Sequence, residues 1–453
     1  MGAGVAVSQD AGNGVEVYPR ETIAWITVAI LFLMSIVAFL DRQIVSLMVE
    51  MIKASFGVID SQVALLQGAA FSLVYAAAAI PFGYAVDRWS RRATLFFGVF
   101  FWGLAACTCG LADSFNVLLA ARIGVGFGEA ALNPVVTSLL SDLFPRHRRA
   151  LAFSVVSVGS LIGVNGALII GGAVLHWAGD GMTLPVLGHL APWKVAFLVA
   201  GLPGLLLAFT VFLIPEPRRR SPIRKGASSA DLSTVAYIRE NRRFLGCYMG
   251  GFTCLAIANY GLLSWTPAVL QRLYSWTAAE AGMVAGSLIA ASGVAGTLTV
   301  GAVIDRAYAR GRHDAHALVY VIAGLLLVAS GSVCGFASSA WAFLLLILPV
   351  KFVSNFSGAA LAGLSLACPD HLRGRVGALY SLVTVAVGAA IGPSSVAFFT
   401  DFVFRDESKV QWSIAVNMML FGALGALLLQ LARRPMRASA QAGSDRDPAP
   451  AAT

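Results

Sequence analysis

The sequence predicts an all-α membrane protein in which twelve transmembrane helices form two similar bundles of six. Of its 453 residues, 58% are hydrophobic and only 12% are charged, which is too little polar surface for a soluble chain of this length. The apolar residues recur in runs of about 20, the length that a helix needs to cross a bilayer. One charged motif also occurs in both halves of the chain, and such internal repeats are typical of secondary transporters.

The apolar runs place the twelve spans in chain order. They cover about 22–48, 63–86, 93–112, 115–141, 151–177, 194–214, 244–271, 279–304, 316–338, 341–368, 376–400 and 411–432. The spans divide the chain into bundles at 22–214 and 244–434, after an N-terminal segment at 1–21. Residues 215–243 are predicted to be a linker with a short amphipathic helix, and 435–453 a disordered tail.

The repeated motif reads Gly83-Tyr-Ala-Val-Asp87-Arg88-Trp-Ser-Arg91-Arg92 after the second run and Gly301-Ala-Val-Ile-Asp305-Arg306 after the eighth. Each copy follows a span directly, in a short loop. We interpret the motif as a cytoplasmic gate in which Asp87 caps or bridges a helix of the other half. The alternative is a turn that only directs membrane insertion. The gate residues are Gly83, Asp87, Arg88, Arg91, Arg92, Asp305 and Arg306.

The net charge of +9 indicates topology rather than nucleic-acid binding. Lys and Arg concentrate in alternate loops, for example at Arg146 to Arg149, at Arg218 to Lys225 and at Arg433 to Arg437. By the positive-inside rule, both termini and the linker are expected in the cytoplasm, which requires an even number of spans. The Ala-, Gly- and Arg-rich composition favours a bacterial inner membrane.

Nothing in the sequence predicts a cofactor, a metal site or an enzyme. All six cysteines lie in apolar runs, where they are expected as small buried residues. His313 and His316 have helical spacing but no further ligands nearby. The sequence has no phosphate-binding loop of an ATP-driven pump and no Gly-x-Ser-x-Gly nucleophile motif. We expect a monomer without catalytic residues.

The gate motif resembles the signature loop of the major facilitator superfamily, although Ser90 stands where that signature usually has glycine. Phe39-Leu-Asp41-Arg42 in the first span, and Arg122 to Glu129 in the fourth, resemble motifs of the Spinster family of lipid transporters within it. The resemblance implies two six-helix bundles, alternating access and a substrate such as a lysophospholipid or a sphingosine-1-phosphate-like amphiphile. These features are shared with small organic-anion–proton symporters of the same superfamily.

Charged residues inside the spans are the candidates for function, because an ionisable group in the hydrocarbon region costs several kcal/mol without a partner. Arg122, Gly126 and Glu129 share one helix face, and Gly126 leaves room there. The superfamily resemblance implies that spans 1 and 4 line the central cavity. Asp41, Arg122 and Glu129 are therefore predicted to couple transport to protons, with Arg122 binding the substrate when a carboxylate is protonated.

Each of these assignments has a structural alternative. Arg122 and Glu129 can form a static pair, and Asp41 can anchor a bend with Arg42, which lies about 100° around the helix. Lys351 can extend to the membrane interface instead of the pocket. The predicted substrate-binding residues are Arg122, Arg42, Tyr75, Asn133, Asn259, Tyr260, Trp265, Asn355 and Lys351.

These observations predict a secondary active transporter that works by alternating access and couples to protons. Its predicted cargo is an amphipathic lipid, and the alternative is symport of a small organic anion with protons. Glycines at four-residue steps in spans 5 and 11 are expected to let helices slide where the two halves meet.

Overall fold

The computed structural model describes residues 5–7, 17–185, 188–217, 235–369 and 372–444. Twelve helices in this part of the chain are long and apolar enough to cross a membrane, which confirms the prediction of twelve spans. We number them spans 1 to 12: Glu21–Leu47, Asp60–Arg88, Arg91–Gly110, Phe115–Leu143, His147–Ala178, Pro192–Leu213, Arg242–Tyr274, Ala278–Ala309, Ala315–Cys334, Ala340–Ala367, Arg373–Phe404 and Glu407–Arg437.

Hydroxyl side chains define where several spans begin. Ser90, Ser114 and Ser339 each accept a hydrogen bond from a backbone N–H three residues later, which satisfies a donor that the first helical turn leaves unpaired. Thr277 and Glu280 form a reciprocal capping box at the start of span 8. The polar residues between the apolar runs therefore set the helix ends.

Several spans are interrupted, and the interruptions recur in the two halves of the chain. Span 4 consists of α-helices Phe115–Glu129 and Leu132–Leu143, and span 10 of Ala340–Val353 and Ser357–Ala367. Spans 2 and 8 contain π-helical turns, at Leu65–Ala69 and Ala281–Ala285. Because span 4 corresponds to span 10 and span 2 to span 8, the breaks support the predicted repeat.

The remaining elements are short. A helix at Val49–Phe56, which the sequence analysis does not predict, follows span 1. Two small antiparallel hairpins pair β1 (Val5–Val7) with β2 (Val17–Pro19), and β3 (Met182–Leu184) with β4 (Gly188–Leu190). Span 11 ends in a π-helical turn at Phe399–Phe404.

The predicted linker and tail differ from the structure in extent. Residues 235–240 are helical, in agreement with a short linker helix, whereas 218–234 lie outside the described residues. The last helix continues from Val410 to Ser444, past Pro435. The expectation of disorder is therefore wrong for 435–444, and 445–453 lie outside the described residues.

The chain forms two compact units. Unit 1 comprises Met1–Val58, Leu65–Arg224 and Thr277–Ser287, and unit 2 comprises Ile59–Ala64, Lys225–Trp276 and Leu288–Thr453. The units therefore follow the predicted halves with two exceptions. The start of span 2 belongs to unit 2, and the start of span 8 belongs to unit 1. The two π-helical turns lie next to these points of exchange.

Unit 2 holds the first turn of span 2 through a buried ion pair. The Arg272 guanidinium donates to both carboxylate oxygens of Asp60, at 2.6 and 2.7 Å, and the Asp60 side chain is fully buried. The next residue, Ser61, donates its N–H and its hydroxyl to Asp401 at 2.7 and 2.6 Å. A bidentate pair of this kind fixes orientation as well as distance.

Asp314 joins the start of span 9 to the end of span 12. Its Oδ2 accepts hydrogen bonds from Arg433 at 2.6 Å and from Arg437 at 2.8 Å. Burial raises the pKa of Asp314, but these hydrogen bonds lower it by more, so the pKa lies below its usual value. The carboxylate therefore stabilises the fold above its unfolded-state pKa of about 4, and this contribution is lost as the pH falls through the folded-state value.

Glycines allow close helix contacts inside each unit. In span 5, a Cβ at Gly159 or Gly163 would lie 2.7 or 2.6 Å from carbonyl oxygens of span 1. In span 11, a Cβ at Gly392 would lie 2.7 Å from the Ile257 carbonyl of span 7. These three glycines therefore pack on helices of their own half. In span 5, a Cβ at Gly172 would instead lie 2.8 Å from a carbonyl oxygen of span 8, which belongs to the other half of the chain, so the expectation agrees with the structure at that position.

Gly296 is the tightest of these contacts. A Cβ there would lie 1.7 Å from the carbonyl oxygen of Phe352, at the break in span 10. We expect Gly296→Ala to lower the free energy of unfolding by about 1–3 kcal/mol, because backbone cannot move aside as a side chain can. Thermal unfolding of the purified protein measures this. Gly246→Ala is the matched control, since a Cβ at Gly246 has no neighbour within 4 Å; an equal midpoint for the two variants would contradict the prediction.

Candidate functional site

Four charged residues of unit 1 lie together where spans 1 and 4 pass each other. Asp41 and Arg42 occupy the last turn of the α-helix Glu21–Ile44, and Arg122 and Glu129 occupy the helix Phe115–Glu129. Asp41, Arg122 and Glu129 are buried, as the sequence predicts. The cluster contains two positive and two negative charges, so it can be neutral overall.

Of the two ion pairs in this cluster, one joins residues that were expected to interact, and the other joins Glu129 to Arg42. Arg122 Nη1 donates to Asp41 Oδ2 at 3.0 Å. Glu129 Oε2 accepts from Arg42 Nε at 2.6 Å and from Arg42 Nη2 at 2.5 Å. The structural alternative of a static pair between Arg122 and Glu129 is therefore wrong, whereas a bend held by Asp41 with Arg42 stays a prediction. Each pair joins span 1 to span 4.

Arg42 is the member of the cluster that is open to its surroundings. Its side chain is 18% exposed, whereas that of Glu129 is 0% exposed. The guanidinium lies 4.6–4.7 Å from the ring centres of Phe39, Phe71 and Tyr75. Aromatic faces attract a guanidinium and restrict its orientation. Arg42 is therefore held in place while part of its surface can contact a ligand.

Arg122 is enclosed. Besides the Asp41 carboxylate, its guanidinium contacts the backbone oxygens of Asp41 and Leu66, each at 3.4 Å. Leu66 belongs to the π-helical turn of span 2, and such turns often accompany functional sites. Span 2 can come this close because Gly126 has no side chain. A Cβ there would lie only 2.6 Å from the Phe71 carbonyl oxygen. The space predicted at Gly126 is therefore filled by backbone.

Two carboxylate oxygens in the cluster have no hydrogen-bond donor within the described ranges. They are Asp41 Oδ1 and Glu129 Oε1, and both are buried. In Glu129 the two bonds from Arg42 go to Oε2, so Oε1 is the oxygen that can take up a proton without breaking the pair. Asp41, Arg42 and Arg122 are the charged groups that act on Glu129.

The other predicted pocket residues of unit 1 lie beside Arg42. The Tyr75 hydroxyl accepts a hydrogen bond of 2.7 Å from the Asn133 side-chain amide. Asn133 is exposed and follows the break in span 4. Phe39 and Phe71 were not predicted as site residues. Phe39 stands in the same motif as Asp41, and Phe71 lies four residues before Tyr75, but an aromatic residue in a span is usually a packing residue.

In unit 2 the predicted residues separate into two groups. Lys351 Nζ donates to Asn259 Oδ1 at 2.8 Å, and Asn355 donates to the Thr297 hydroxyl at 2.8 Å. Trp265 is fully buried, and its indole N–H donates to the Pro393 carbonyl, so we leave it out of the proposed site. Tyr260 is half-buried on span 7.

The first copy of the gate motif is held within unit 1. Arg91 is buried and donates to Asp142 at 2.7 Å, and its N–H donates to Glu216 at 2.6 Å. Arg92 donates to the Phe212 carbonyl at 2.8 Å. The other gate residues, Gly83, Asp87, Arg88, Asp305 and Arg306, are exposed or half-buried. The gate stays a prediction, and these contacts show how its arginines are anchored.

Comparison with known proteins decides the family. The sequence profile of the Major Facilitator Superfamily matches residues 31–393. The chain belongs to this superfamily. The fold agrees: a crystal structure described as a bacterial homologue of the human lysosomal transporter Spinster, inward-facing and unoccupied, matches with a TM-score of 0.75 at 21% identity. The match covers 95% of this chain and 100% of that one. The predicted multi-pass inner-membrane protein is thereby confirmed.

Relatives of two kinds are similar to this chain in sequence. A probable galactarate/D-glucarate transporter of Bacillus subtilis is 26% identical over 392 residues, which is 80% of this chain and 82% of that protein. Protein spinster homolog 3 of Danio rerio is 30% identical over 255 residues, 55% of this chain and 48% of that protein. The predicted resemblance to Spinster proteins is therefore confirmed. The chain is similar to proteins named as sugar-acid transporters as well.

Proposed function

We propose that this protein is a proton-coupled secondary transporter of an anion, in which Arg42 holds the anionic group and Glu129 carries the proton. The observation that supports this most is the Arg42–Glu129 pair, in which a partly exposed arginine is bound to a buried carboxylate. The roles predicted for Arg122 thus move to Arg42, because Arg122 is enclosed. Arg122 and Asp41 then form the fixed second pair of the cluster.

Charge balance gives the mechanism. An anionic substrate that binds Arg42 competes with Glu129 for the same guanidinium. Glu129 would then be a buried charge without its partner, which is costly in a low-dielectric site. A proton on Oε1 removes that cost. One proton therefore enters with each anionic group, and its release restores the Arg42–Glu129 pair and expels the substrate.

Two substrate classes are compatible with this site. The bacterial relatives named as galactarate, glucarate and galactonate transporters favour a sugar acid. The similarity to Spinster proteins favours an amphipathic lipid such as a lysophospholipid or a sphingosine-1-phosphate-like molecule. Both carry an anionic group that Arg42 can bind. Either would move by alternating access, with the termini in the cytoplasm as the charge bias predicts.

The test is uptake into proteoliposomes under an imposed proton gradient. D-galactonate and lysophosphatidylglycerol, both radiolabelled, are the two probes. We expect one of them to accumulate, and Arg42→Lys to lower its apparent affinity at least tenfold, because lysine keeps the charge but loses the planar fork and the aromatic stacking. Arg148→Lys, at an exposed pair with Glu21, is the control. Uptake of neither probe, or uptake unchanged by a protonophore, would contradict the proposal.

A further inference from the structure

The start of span 2 is a feature of the fold that the proposed mechanism does not use. Ile59–Ala64 belongs to unit 2, whereas span 2 from Leu65 onwards belongs to unit 1. By the charge bias along the chain, this end of span 2 lies on the membrane face opposite the cytoplasmic termini. One span is therefore shared between the two units, and the π-helical turn Leu65–Ala69 lies where it is divided.

Unit 2 binds this first turn through the ion pair of Asp60 with Arg272 and the hydrogen bonds of Ser61 with Asp401. The Asp60 side chain is 0% exposed and that of Arg272 is 8% exposed. Replacing a buried ion pair with apolar residues is often neutral or stabilising, so such a pair is a poor way to add stability. Its best-attested role is to select one of two arrangements. The charges at this end of span 2 are therefore suited to a contact that forms and separates.

Unit 2 holds its side of this contact in place without help from Asp60. Arg272 Nη1 also contacts the Glu407 carbonyl at 3.5 Å, and its guanidinium lies 5.6 Å from the ring centre of Trp265. Asp401 stands in the π-helical turn that ends span 11. The first turn of span 2 can therefore leave while its binding surface on unit 2 keeps its position.

The π-helical turn of span 2 contacts the charge cluster of unit 1. The Leu66 carbonyl accepts a hydrogen bond from Arg122 Nε at 3.4 Å, and farther along the span Phe71 and Tyr75 lie against Arg42. Helices bend sharply at π-helical turns more readily than in regular α-helix. A bend at this turn would move the Leu66 carbonyl relative to Arg122, so it would change the surroundings of the cluster.

The start of span 8, which belongs to unit 1, is held in a different way. A Cβ at Gly172 of span 5 would lie 2.8 Å from the Ala279 carbonyl, and a Cβ at Gly282 would lie 2.5 Å from the Leu168 carbonyl. This is close packing of backbone on backbone, which tolerates little displacement. The contact that can separate is therefore the one at span 2.

We infer that Ile59–Ala64 is a releasable latch, which is bound to unit 2 in this structure and leaves it when the transporter opens at this face of the membrane. Span 2 bends at Leu65–Ala69 as the latch leaves. Asp60 is then a positioning residue that acts on Arg122 through the Leu66 carbonyl. This inference rests on the proposed function, because it assigns a moving part to its alternating access. The movement is a bend within one span, in addition to any movement of whole bundles.

A reversible cross-link tests whether the latch has to leave during transport. Ser61→Cys and Asp401→Cys are combined in the full-length protein, and the disulfide is formed with copper phenanthroline and verified by peptide mass spectrometry. Uptake into proteoliposomes under a proton gradient is measured with radiolabelled D-galactonate and lysophosphatidylglycerol. We expect oxidation to lower uptake of the transported probe at least tenfold, and dithiothreitol to restore it.

Thr400→Cys with Ser413→Cys is the matched control. The two hydroxyls lie 2.8 Å apart, and both residues belong to unit 2 and are next to the latch contact in the sequence or the fold. Because spans 11 and 12 are not expected to separate there, oxidation of this pair should leave uptake within about a factor of two.

Hydrogen–deuterium exchange of the full-length protein in lipid nanodiscs tests the latch without any substrate. We expect Asp60→Asn to speed exchange of the backbone amides of 61–69 at least tenfold and to leave those of 72–86 within about a factor of two, because the segment opens locally. A pair that only supports the fold would instead speed exchange along the whole span and lower the unfolding temperature. Arg272→Gln serves in the same assay if Asp60→Asn does not fold.

Three results would overturn the inference: uptake that a verified cross-link between the two new cysteines leaves unchanged, wild-type exchange at 61–69 in Asp60→Asn, or faster exchange along all of span 2. If the wild type takes up neither probe, the proposed function is refuted and hydrogen exchange decides the latch. Uptake that the cross-link blocks but a protonophore does not change would leave the latch standing and refute proton coupling.

Discussion

Glu129→Gln is expected to abolish accumulation of substrate under a proton gradient while exchange of substrate across the membrane continues. Glutamine has the shape of protonated glutamate, so it does not compete with the anion for Arg42, and the substitution removes the group that takes up and releases the proton. Accumulation in proteoliposomes should fall at least tenfold. Counterflow, which needs substrate on both sides but no proton gradient, should stay within about a factor of three of the wild-type rate.

The same variant should bind substrate with an affinity that no longer depends on pH between 5 and 8. In the wild type, Glu129 competes with the substrate for Arg42 only when it is ionised. Glu21→Gln removes a carboxylate from an exposed pair with Arg148 and is the control, because exposed pairs contribute little. Gradient-driven accumulation by Glu129→Gln would refute the role of this residue and would make Asp41 the remaining candidate.

Local patterns in the sequence were sufficient for the twelve spans and for the positions of the charged residues. A run of about 20 apolar residues is expected to form an α-helix in a membrane, because its backbone must satisfy its hydrogen bonds within the segment. Charges inside such runs are rare enough that Asp41, Arg122, Glu129 and Lys351 could be identified one by one. All four are buried in the structure.

The pairing of those charges could not be predicted, because periodicity fixes which residues share a face of one helix and not which helix faces them. Arg42 lies about 100° from Asp41 around the helix, and that angle does not say which residue of span 4 it contacts. Span 4 presents Arg122 to Asp41 and, seven residues later, Glu129 to Arg42. The long side chains of Arg42 and Arg122 can reach carboxylates at different angles around the helices. Which carboxylate each arginine reaches depends on how spans 1, 2 and 4 pack.

The exchanged turns were beyond the sequence, whereas the break in span 4 has a local cause. Pro134 has no N–H to donate to the carbonyl of Ala130, four residues earlier, and the helix is interrupted at Ala130 and Ala131. Asp60 was not recognised, because an acidic residue at the start of a span is an ordinary helix cap. Its bidentate pair with Arg272 joins residues far apart in the chain.

Arg122→Met is expected to be the most destabilising single substitution in the cluster. Arg122 is fully buried, and its removal leaves the Asp41 carboxylate, also fully buried, without a counter-charge. Breaking a buried pair on one side costs about 3–5 kcal/mol. Thermal and denaturant-induced unfolding of the purified protein should show this loss, whereas Arg148→Met at the exposed pair should change the free energy of unfolding by less than about 1 kcal/mol.

The double variant Asp41→Asn with Arg122→Met separates a fixed pair from a substrate-binding arginine. If the pair is structural, the two substitutions are not additive, and the double variant regains about 1–3 kcal/mol relative to the sum of the single losses. Transport by the double variant should then depend on Arg42 and Glu129 as in the wild type. Additive losses, or an Arg122→Met protein that is stable but does not bind the anion, would return the substrate-binding role to Arg122. That outcome would also make Asp41, rather than Glu129, the residue that competes with the substrate.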